Sequence, residues 1–236
     1  MLVAFAFQIY CDFSGYSLIA KGLAKFMGFQ FKMNFNHPYL SASFKEFWTR
    51  WHISLSTWFR DYVYIPLGGG RKGWLLGVLF MYITMLISGF WHGPAIHFIA
   101  WGFLHATYLF GERLTGWSKW KPKHSLFWAF KVITVFVLTL FAWNFFRAKG
   151  MTQSLEITSH LFSLEVSTPF LMDEFKPLFF LGLAIFIEII YLTYFKFGEL
   201  KAFYKSLNLD VYFVAICVIA HLFFRGPESE FIYFQF

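Results

Sequence analysis

Six long apolar runs constrain this chain more than any other feature, because each approaches the length that a helix needs to cross a lipid bilayer. The hydrocarbon core of a bilayer requires about 20 mostly apolar residues per helix. The run from Trp74 to Trp91 contains no charged residue at all. The sequence therefore predicts an all-α, polytopic transmembrane helical bundle that forms one membrane domain over residues 1–236. The predicted spans are 1–20, 74–91, 94–111, 126–146, 178–195 and 211–224.

The composition and the placement of charge agree with a membrane protein. Hydrophobic residues make up 58% of the chain and charged residues only 14%, against about 25% charged residues in average soluble domains. The net charge of +7 could suggest a nucleic-acid ligand, but the basic residues fall in short stretches between the apolar runs. The positive-inside rule accounts for that placement, so we expect membrane lipid and no nucleic acid as partners. If the spans 74–91 and 94–111 form a hairpin, Arg60, Arg71 and Arg113 lie on the same side of the membrane. The positive-inside rule assigns that side to the cytoplasm.

The segment 34–73, between the first two spans, is rich in aromatic residues but too polar to cross lipid alone. Ser43 followed by Glu46 is a capping box, which predicts the start of a helix. From there apolar residues recur every three or four positions, as they do on one face of a helix. These residues are Phe44, Phe47, Trp48, Trp51, Leu55, Trp58, Phe59 and Tyr62. The pattern predicts one amphipathic helix, in the membrane interface or lining a cavity between the spans, with His52 at the border of its aromatic stripe.

Two histidines in aromatic surroundings, His92 and His52, are the candidate functional residues. An ionisable ring at membrane depth must be desolvated or hydrated by a cavity, so it is by default a hypothesis for a functional site. His92 follows an uncharged span and precedes Gly93 and Pro94, which break the helix, and there a neutral imidazole could act as a general base. The alternative for His92 is a hydrogen bond to a carbonyl freed at the helix end. For His52 the alternative is an interfacial ring with one nitrogen in water, and spacing alone leaves both alternatives open.

Other reactive groups form no comparable pattern. His97 and His105 share a predicted span but lie two turns apart, which is too far for both to ligate one ion without a further ligand. Cys11 and Cys217 stand in apolar runs and form no CxxC motif. Because no Gly-x-Ser-x-Gly motif occurs, acyl chemistry here would proceed by direct transfer rather than through an acyl-enzyme. We expect neither a metal ion nor a tightly bound cofactor.

Several stretches of the chain, in a fixed order, carry a specific family resemblance. They are Asp12-Phe13-Ser14-Gly15-Tyr16-Ser17, Asn34-Phe35-Asn36-His37-Pro38-Tyr39, Glu46-Phe47-Trp48-Thr49-Arg50-Trp51-His52-Ile53-Ser54-Leu55-Ser56, Trp58-Phe59-Arg60-Asp61-Tyr62-Val63-Tyr64-Ile65-Pro66-Leu67-Gly68-Gly69, Gly89-Phe90-Trp91-His92-Gly93, Trp101-Gly102-Phe103-Leu104-His105, Phe145-Phe146-Arg147-Ala148 and Phe231-Ile232-Tyr233-Phe234-Gln235-Phe236. Together they resemble the membrane-bound O-acyltransferase (MBOAT) family, in its branch of alginate O-acetylation and teichoic acid D-alanylation proteins. The resemblance covers the C-terminal half or so of the family's usual length, which implies that N-terminal spans of the family are missing from this chain.

The resemblance implies roles for particular residues. In the family, the histidine that matches His92 is the catalytic residue, and the one that matches His52 is its partner in the active-site channel. By the same resemblance Arg60, Asp61 and Tyr62 shape the mouth of that channel, and an interfacial ion pair is an equal alternative for them. The residues expected to line the channel are Trp51, Trp91, Arg60, Asp61, Tyr62, Asp12 and His105.

The resemblance also implies a function. A multi-pass protein of this kind, in the bacterial inner or plasma membrane, would take an acyl group, expected to be acetyl, from a cytoplasmic donor such as acetyl-CoA or an acyl carrier protein thioester. It would pass that group across the membrane to hydroxyls of a cell-surface polysaccharide such as alginate, with extracytoplasmic acetylation proteins as partners. Three alternatives remain: D-alanyl transfer to teichoic acid, a non-enzymatic channel or scaffold that hands an acyl group to a soluble transferase, and a structural remnant without activity.

Overall fold

The computed structural model describes residues 2–163, 181–186, 188 and 189. The chain divides into two compact units, Met1–Thr168 and Pro169–Gln235. The described residues form helices and no strand, which confirms the predicted all-α class. In the second unit the described residues are helical and fall within the predicted span 178–195, whereas the predicted span 211–224 lies outside the described residues.

The helices of the first unit follow one another along the chain. They are α1 (Leu2–Phe26), α2 (Phe44–Arg50), α3 (Ile53–Phe59), α4 (Ile65–Leu67), α5 (Trp74–His92), α6 (Ile96–Thr115), α7 (Ser125–Arg147) and α8 (Met151–Ser163). A 3-10 turn, Pro38–Leu40, precedes α2, and a π-helical segment, Arg60–Tyr64, joins α3 to α4.

Three of the described helices, α1, α5 and α7, are long and apolar enough to cross a membrane. They coincide with the predicted spans 1–20, 74–91 and 126–146. Helix α6 occupies the predicted span 94–111, but it is not among the three, because its two histidines together with Glu112 and Arg113 lower its hydropathy. It contacts α2, α5, α7 and α8. The chain is therefore a helical membrane protein in which α6 packs against four other helices.

Helices α5 and α6 approach each other closely at two glycines. A Cβ atom added to Gly89 of α5 would overlap the carbonyl oxygen of Phe98, and one added to Gly102 of α6 would overlap the carbonyl oxygen of Met85. Small residues at a helix crossing let two backbones come into contact, as is common between transmembrane helices. This contact brings the end of α5 against the first turns of α6.

The prediction of one continuous amphipathic helix was wrong, because the helix is interrupted at Trp51 and His52, between α2 and α3. His52 has a left-handed backbone, with φ 40° and ψ 58°, a conformation that costs a residue with a Cβ about 1–2 kcal/mol. The amide of Ile53 donates to the carbonyl of Asn34 at 2.9 Å, and the amide of Ser54 donates to the side-chain oxygen of Asn34 at 3.1 Å. The break thus depends on a partner that is remote in sequence, which apolar periodicity cannot reveal.

The predicted cap at the start of α2 is confirmed for Ser43, whereas the Glu46 carboxylate accepts from the amide of Ala42 at 2.9 Å and not from the amide of Ser43. The Ser43 hydroxyl oxygen accepts a hydrogen bond from the amide of Glu46 at 3.1 Å. The carboxylate of Glu112 on α6 also accepts from the amides of Phe44 at 2.5 Å and Lys45 at 3.1 Å. A carboxylate is favoured at a helix N-terminus because of the exposed amides and the helix dipole. Helix α2 is therefore anchored to α6 at the end opposite His52.

Candidate functional site

His92 is the last residue of α5, and aromatic side chains enclose its ring. The ring meets Phe146 and Trp91 edge-on at 4.9 Å between centroids, and it meets Trp101 at 5.3 Å. Phe146 and Trp101 are almost fully buried, whereas Trp91 is 52% exposed. His92 itself is only partly buried. The imidazole is therefore held in an aromatic frame at the end of a membrane-spanning helix while part of its surface stays accessible.

His52 lies at the break between α2 and α3, and its ring packs against α1. Phe13 meets the imidazole edge-on at 4.6 Å between centroids, Phe35 lies at 6.3 Å, and the Ser54 hydroxyl is 3.5 Å from Nδ1. Asp12 precedes Phe13 on α1 and is partly exposed. Burial lowers the pKa of His52 to about 4, and a backbone hydrogen bond opposes this shift only in part. At neutral pH the ring is therefore an uncharged imidazole with one nitrogen able to accept a hydrogen bond.

The two histidines belong to one region of the first unit. Buried rings connect them: Trp51, the neighbour of His52, lies 5.0 Å from Trp143, and Trp143 lies 5.2 Å from Phe146, which meets His92. The junction of α2 and α3, the end of α5 and the end of α7 thus meet in one aromatic cluster, which consists of Trp51, Trp101, Trp143 and Phe146.

His105 is fully buried one turn along α6 from Trp101 and reaches the same aromatic cluster. Its ring lies 4.9 Å from Trp101 and 5.0 Å from Trp48. Within the described part of the chain, neither ring nitrogen of His105 has a hydrogen-bond partner, and neither do the indole N–H groups of Trp48, Trp101 and Trp143. Buried polar groups in folded proteins are normally paired. These atoms are therefore available to a polar group that enters the cluster.

Arg60, Asp61 and Tyr62 form an exposed group on the π-helical segment. The Arg60 guanidinium donates to the two carboxylate oxygens of Asp61 at 2.7 Å and 3.2 Å, and this hydrogen bonding lowers the pKa of Asp61. Tyr62 is 69% exposed, and its ring lies 5.5 Å from that of Trp58. These residues contact each other and Trp58 rather than either histidine ring, so their role at a channel mouth stays a prediction.

Among the described residues, no group of three or more His, Cys, Asp or Glu side chains is placed to hold a metal ion.

The sequence of this chain matches a known protein family. The membrane-bound O-acyltransferase family, MBOAT, matches residues 1–145, which is more than half of the chain and includes both histidines. The chain belongs to the MBOAT family. The resemblance read from the sequence motifs is therefore confirmed.

Relatives of this MBOAT chain are named as acyltransferases of several kinds. A probable alginate O-acetylase of Pseudomonas putida is 40% identical over 206 residues, which cover 86% of this chain and 41% of that protein. A peptidoglycan O-acetyltransferase of Helicobacter pylori is 36% identical over 162 residues, 69% of this chain and 31% of that protein. A teichoic acid D-alanyltransferase of Bacillus subtilis is 31% identical over 159 residues, 63% of this chain and 40% of that protein. This MBOAT chain thus spans 31% to 41% of the length of these relatives.

The residues that hold the two histidines were not identified from the sequence as part of the site. Trp101 and Phe146 contact His92, and Asn34 holds the backbone that follows His52. The two aromatic residues resemble ordinary core residues of a helix, and Asn34 resembles an ordinary loop residue. Each of the three stands within a sequence stretch that resembles the MBOAT family, and that position was the available signal.

Proposed function

We propose that this chain is a membrane O-acyltransferase of the bacterial inner membrane that transfers acetyl groups to hydroxyls of a cell-surface polysaccharide. The observation that carries the proposal is the position of His92, which is framed by Trp101 and Phe146 and joined through Trp143 to the tryptophan beside His52. Membership of the MBOAT family and the names of the relatives support the reaction class. The donor is a cytoplasmic thioester, acetyl-CoA or an acyl carrier protein thioester, and extracytoplasmic partner proteins complete the delivery to the polymer.

In this proposal His92 is the general base. Its neutral imidazole accepts the proton of the acceptor hydroxyl while the hydroxyl oxygen attacks the carbonyl carbon of the thioester. The C–O bond forms, the C–S bond breaks, and His92 returns the proton to the departing thiolate, so that the products are an ester and a free thiol. No acyl-enzyme is formed, in agreement with the lack of a nucleophile-elbow motif in the sequence.

Two buried indole N–H groups suit the negative charge that develops on the carbonyl oxygen. Trp101 and Trp143 are each 1% exposed, their rings stack at 6.1 Å, and neither N–H is paired within the described residues. A pre-positioned buried donor to such an oxyanion contributes about 100- to 1,000-fold to the rate. His52, whose pKa is about 4, adds no positive charge beside His92 at neutral pH. The charge of the transition state is then balanced by hydrogen bonds from neutral groups.

Acetyl is favoured over D-alanyl as the transferred group by the order of similarity among the relatives. The alginate O-acetylase and the peptidoglycan O-acetyltransferase are 40% and 36% identical to this chain, and the teichoic acid D-alanyltransferase is 31% identical. Both acetyl-transferring relatives are named for polysaccharide acceptors, which supports a polysaccharide as the acceptor here.

The test of this proposal is O-acetyl transfer in membranes that contain the chain, supplied with radiolabelled acetyl-CoA and a deacetylated surface polysaccharide. We expect His92→Ala and His92→Gln to lower the rate of incorporation about 100- to 10,000-fold, to a residual rate that can still be measured, while the protein inserts at an unchanged level. The matched control is His160→Ala on α8, whose exposed side chain lies outside the aromatic cluster and should leave incorporation intact. A channel that only hands on the acyl group would tolerate His92→Gln, so normal incorporation by either His92 variant would overturn the proposed mechanism.

A further inference from the structure

The basic loop, residues 116–124, joins α6 to α7 and carries three lysines at alternate positions. Lys119, Lys121 and Lys123 are all exposed. No aspartate or glutamate occurs in residues 113–155. Within the described part of the chain, none of the three lysines forms an ion pair with a carboxylate. The basic loop therefore presents uncompensated positive charge.

A buried ammonium group fixes the basic loop from within. Lys131 on α7 is 3% exposed, and its Nζ donates to the carbonyl oxygens of Trp117 and Trp120 at 2.7 Å and 2.5 Å. The same Nζ lies 5.4 Å and 5.3 Å from the ring centroids of these two tryptophans. The indole N–H of Trp117 donates to the carbonyl of Ala42, just before α2, at 3.0 Å. Because a buried charge is costly unless such contacts compensate it, this arrangement holds the loop in one conformation.

The basic loop lies at the level of the membrane surface. Lys123 stands two positions before Ser125, the first residue of α7, and α7 is long and apolar enough to cross a membrane. Exposed apolar side chains flank the loop, with Leu114 in the last turn of α6 and Leu126 in the first turn of α7. Trp120 within the loop is also exposed, and tryptophan is enriched at the depth of lipid headgroups. The exposed lysines are therefore placed at headgroup depth, beside hydrocarbon.

Other basic residues stand at the same end of the bundle. The Arg113 guanidinium lies 3.1 Å from the position of a Cβ added to Gly77, so the end of α6 packs against the start of α5. Arg71 and Lys72, both exposed, precede α5. Glu112 offers these cations no free carboxylate, because it is buried and accepts from the amides at the start of α2. The positive-inside rule assigns such an end to the cytoplasm, where anionic lipids of the inner leaflet attract basic segments.

We propose that the basic loop binds the headgroup of an anionic glycerophospholipid, such as phosphatidylglycerol, in the cytoplasmic leaflet. Lys119, Lys121 and Lys123 neutralise the phosphate, while Trp120 and the exposed leucines on either side of the loop contact the upper part of the acyl chains. A lipid is favoured over a soluble acidic partner because the surface beside the lysines is apolar and belongs to helices that lie in the membrane. The bound headgroup fixes the depth of the junction between α6 and α7, and through Trp117 that of α2.

The experiment measures the preference of the full chain for phosphatidylglycerol over phosphatidylcholine. The chain is reconstituted in nanodiscs that contain both lipids, and the lipids that stay bound after transfer to detergent are quantified by native mass spectrometry. Lys119→Gln, Lys121→Gln and Lys123→Gln should each lower the preference about 5-fold, as for one lysine at an anionic surface, and the triple variant about 100-fold. Replacing the same three residues by arginine keeps the charge and should keep the preference. Added salt should weaken the preference of the unmodified chain.

The matched control is Lys149→Gln, because Lys149 is exposed beyond the opposite end of α7 and belongs to no run of lysines. It should leave the preference unchanged. Thermal unfolding in phosphatidylcholine alone should be the same for all variants, since the replaced side chains are exposed. An unchanged preference in the triple glutamine variant, an equal loss in the triple arginine variant, or an equal effect of Lys149→Gln would each overturn the inference.

An acidic protein would also be attracted by the three lysines, so a second arm uses a polyglutamate peptide as the probe. If the triple glutamine variant loses the binding of polyglutamate and keeps its preference for phosphatidylglycerol, the basic loop serves an acidic protein and the lipid assignment is wrong. Neither arm involves acyl transfer, so failure of the proposed function would leave the expected lipid preference unchanged.

Discussion

The backbone amide of Ser54 donates a hydrogen bond of 3.1 Å to the side-chain oxygen of Asn34. The amide of Ile53 donates to the main-chain carbonyl of the same asparagine at 2.9 Å. These two bonds satisfy the first amides of α3 and stabilise the left-handed turn at His52. The orientation of the His52 ring against α1 therefore depends on Asn34, which lies twenty positions before Ser54 in the chain.

Replacing the side chain of Asn34 should affect activity more than stability. Asn34→Ala removes the acceptor for the Ser54 amide, which is partly solvated, so the expected loss of stability is about 0.5–1.5 kcal/mol. The substitution also loosens the turn that orients His52. We therefore expect the rate of acetyl transfer to fall by a larger factor than the loss of folded protein would explain. Asn36→Ala is the control, since both hydrogen bonds described for Asn36 are made by its backbone: its amide donates to Arg50, and its carbonyl accepts from the Arg50 guanidinium. Equal transfer rates in the two variants would argue against a role for Asn34.

The burial of His52 predicts a pH dependence of stability. Its pKa is about 4 in the folded chain and 6.5 in the unfolded chain. Between these values the unfolded chain binds more protons at this residue, so stability falls as the pH falls from 6.5 to 4 and this group has no effect above that window. The full effect is about 3 kcal/mol. Thermal unfolding in detergent checks this. As the pH falls from 6.5 to 4, the unfolding temperature of the unmodified chain should fall more than that of His52→Gln. A difference between the two unfolding temperatures that does not vary with pH would contradict the lowered pKa of His52.

The close crossing of α5 and α6 predicts that Gly89 tolerates no side chain. In Gly89→Ala the added Cβ would overlap the carbonyl oxygen of Phe98, which belongs to the backbone of α6. Overpacking of this kind costs about 1–3 kcal/mol, and the resulting shift of α5 should displace His92 and lower the transfer rate. In Gly111→Ala the Cβ meets nothing within 4 Å, so stability should be unchanged or higher by about 0.5–1 kcal/mol. Thermal unfolding of both variants checks this, and equal midpoints would refute the crossing.

The anchoring of α2 predicts a stabilising role for Glu112. Glu112→Ala removes the acceptors for the amides of Phe44 and Lys45, at about 1.5–3 kcal/mol for each bond to a charged group. Glu112→Gln keeps one acceptor oxygen and should lose less. Glu156→Ala on α8, where the side chain is exposed, should have little effect on chemical unfolding followed by tryptophan fluorescence. If Glu112→Ala and Glu156→Ala unfold alike, the carboxylate does not anchor α2.

The features that the sequence predicted correctly are those with a local cause. The uncharged run from Trp74 to Trp91 predicts a span because hydrophobic length is readable from neighbouring residues. The capping box of Ser43 and Glu46 is equally local. The end of α5 at His92, before Gly93 and Pro94, also has a local cause, whereas the catalytic role of His92 stays a prediction.

The features that could not be predicted depend on pairs of residues far apart in sequence. The break at His52 requires Asn34, and the contact between His92 and Trp101 requires the crossing of α5 and α6, which Gly89 and Gly102 permit together. A regular apolar repeat favours a continuous helix until such a partner competes for its amides. The residues that support the two histidines could therefore not be predicted from the sequence.

The central claim, that His52 and His92 act as one site, is tested most directly by a double-mutant cycle on the rate of acetyl transfer. The rates of the unmodified chain, His52→Ala, His92→Ala and the double variant are compared in membranes with matched protein levels. If the two rings serve one step, the double variant should be no slower than His92→Ala alone, because residues that act as a unit are strongly non-additive. Losses that multiply, as they would for independent sites, would contradict the account.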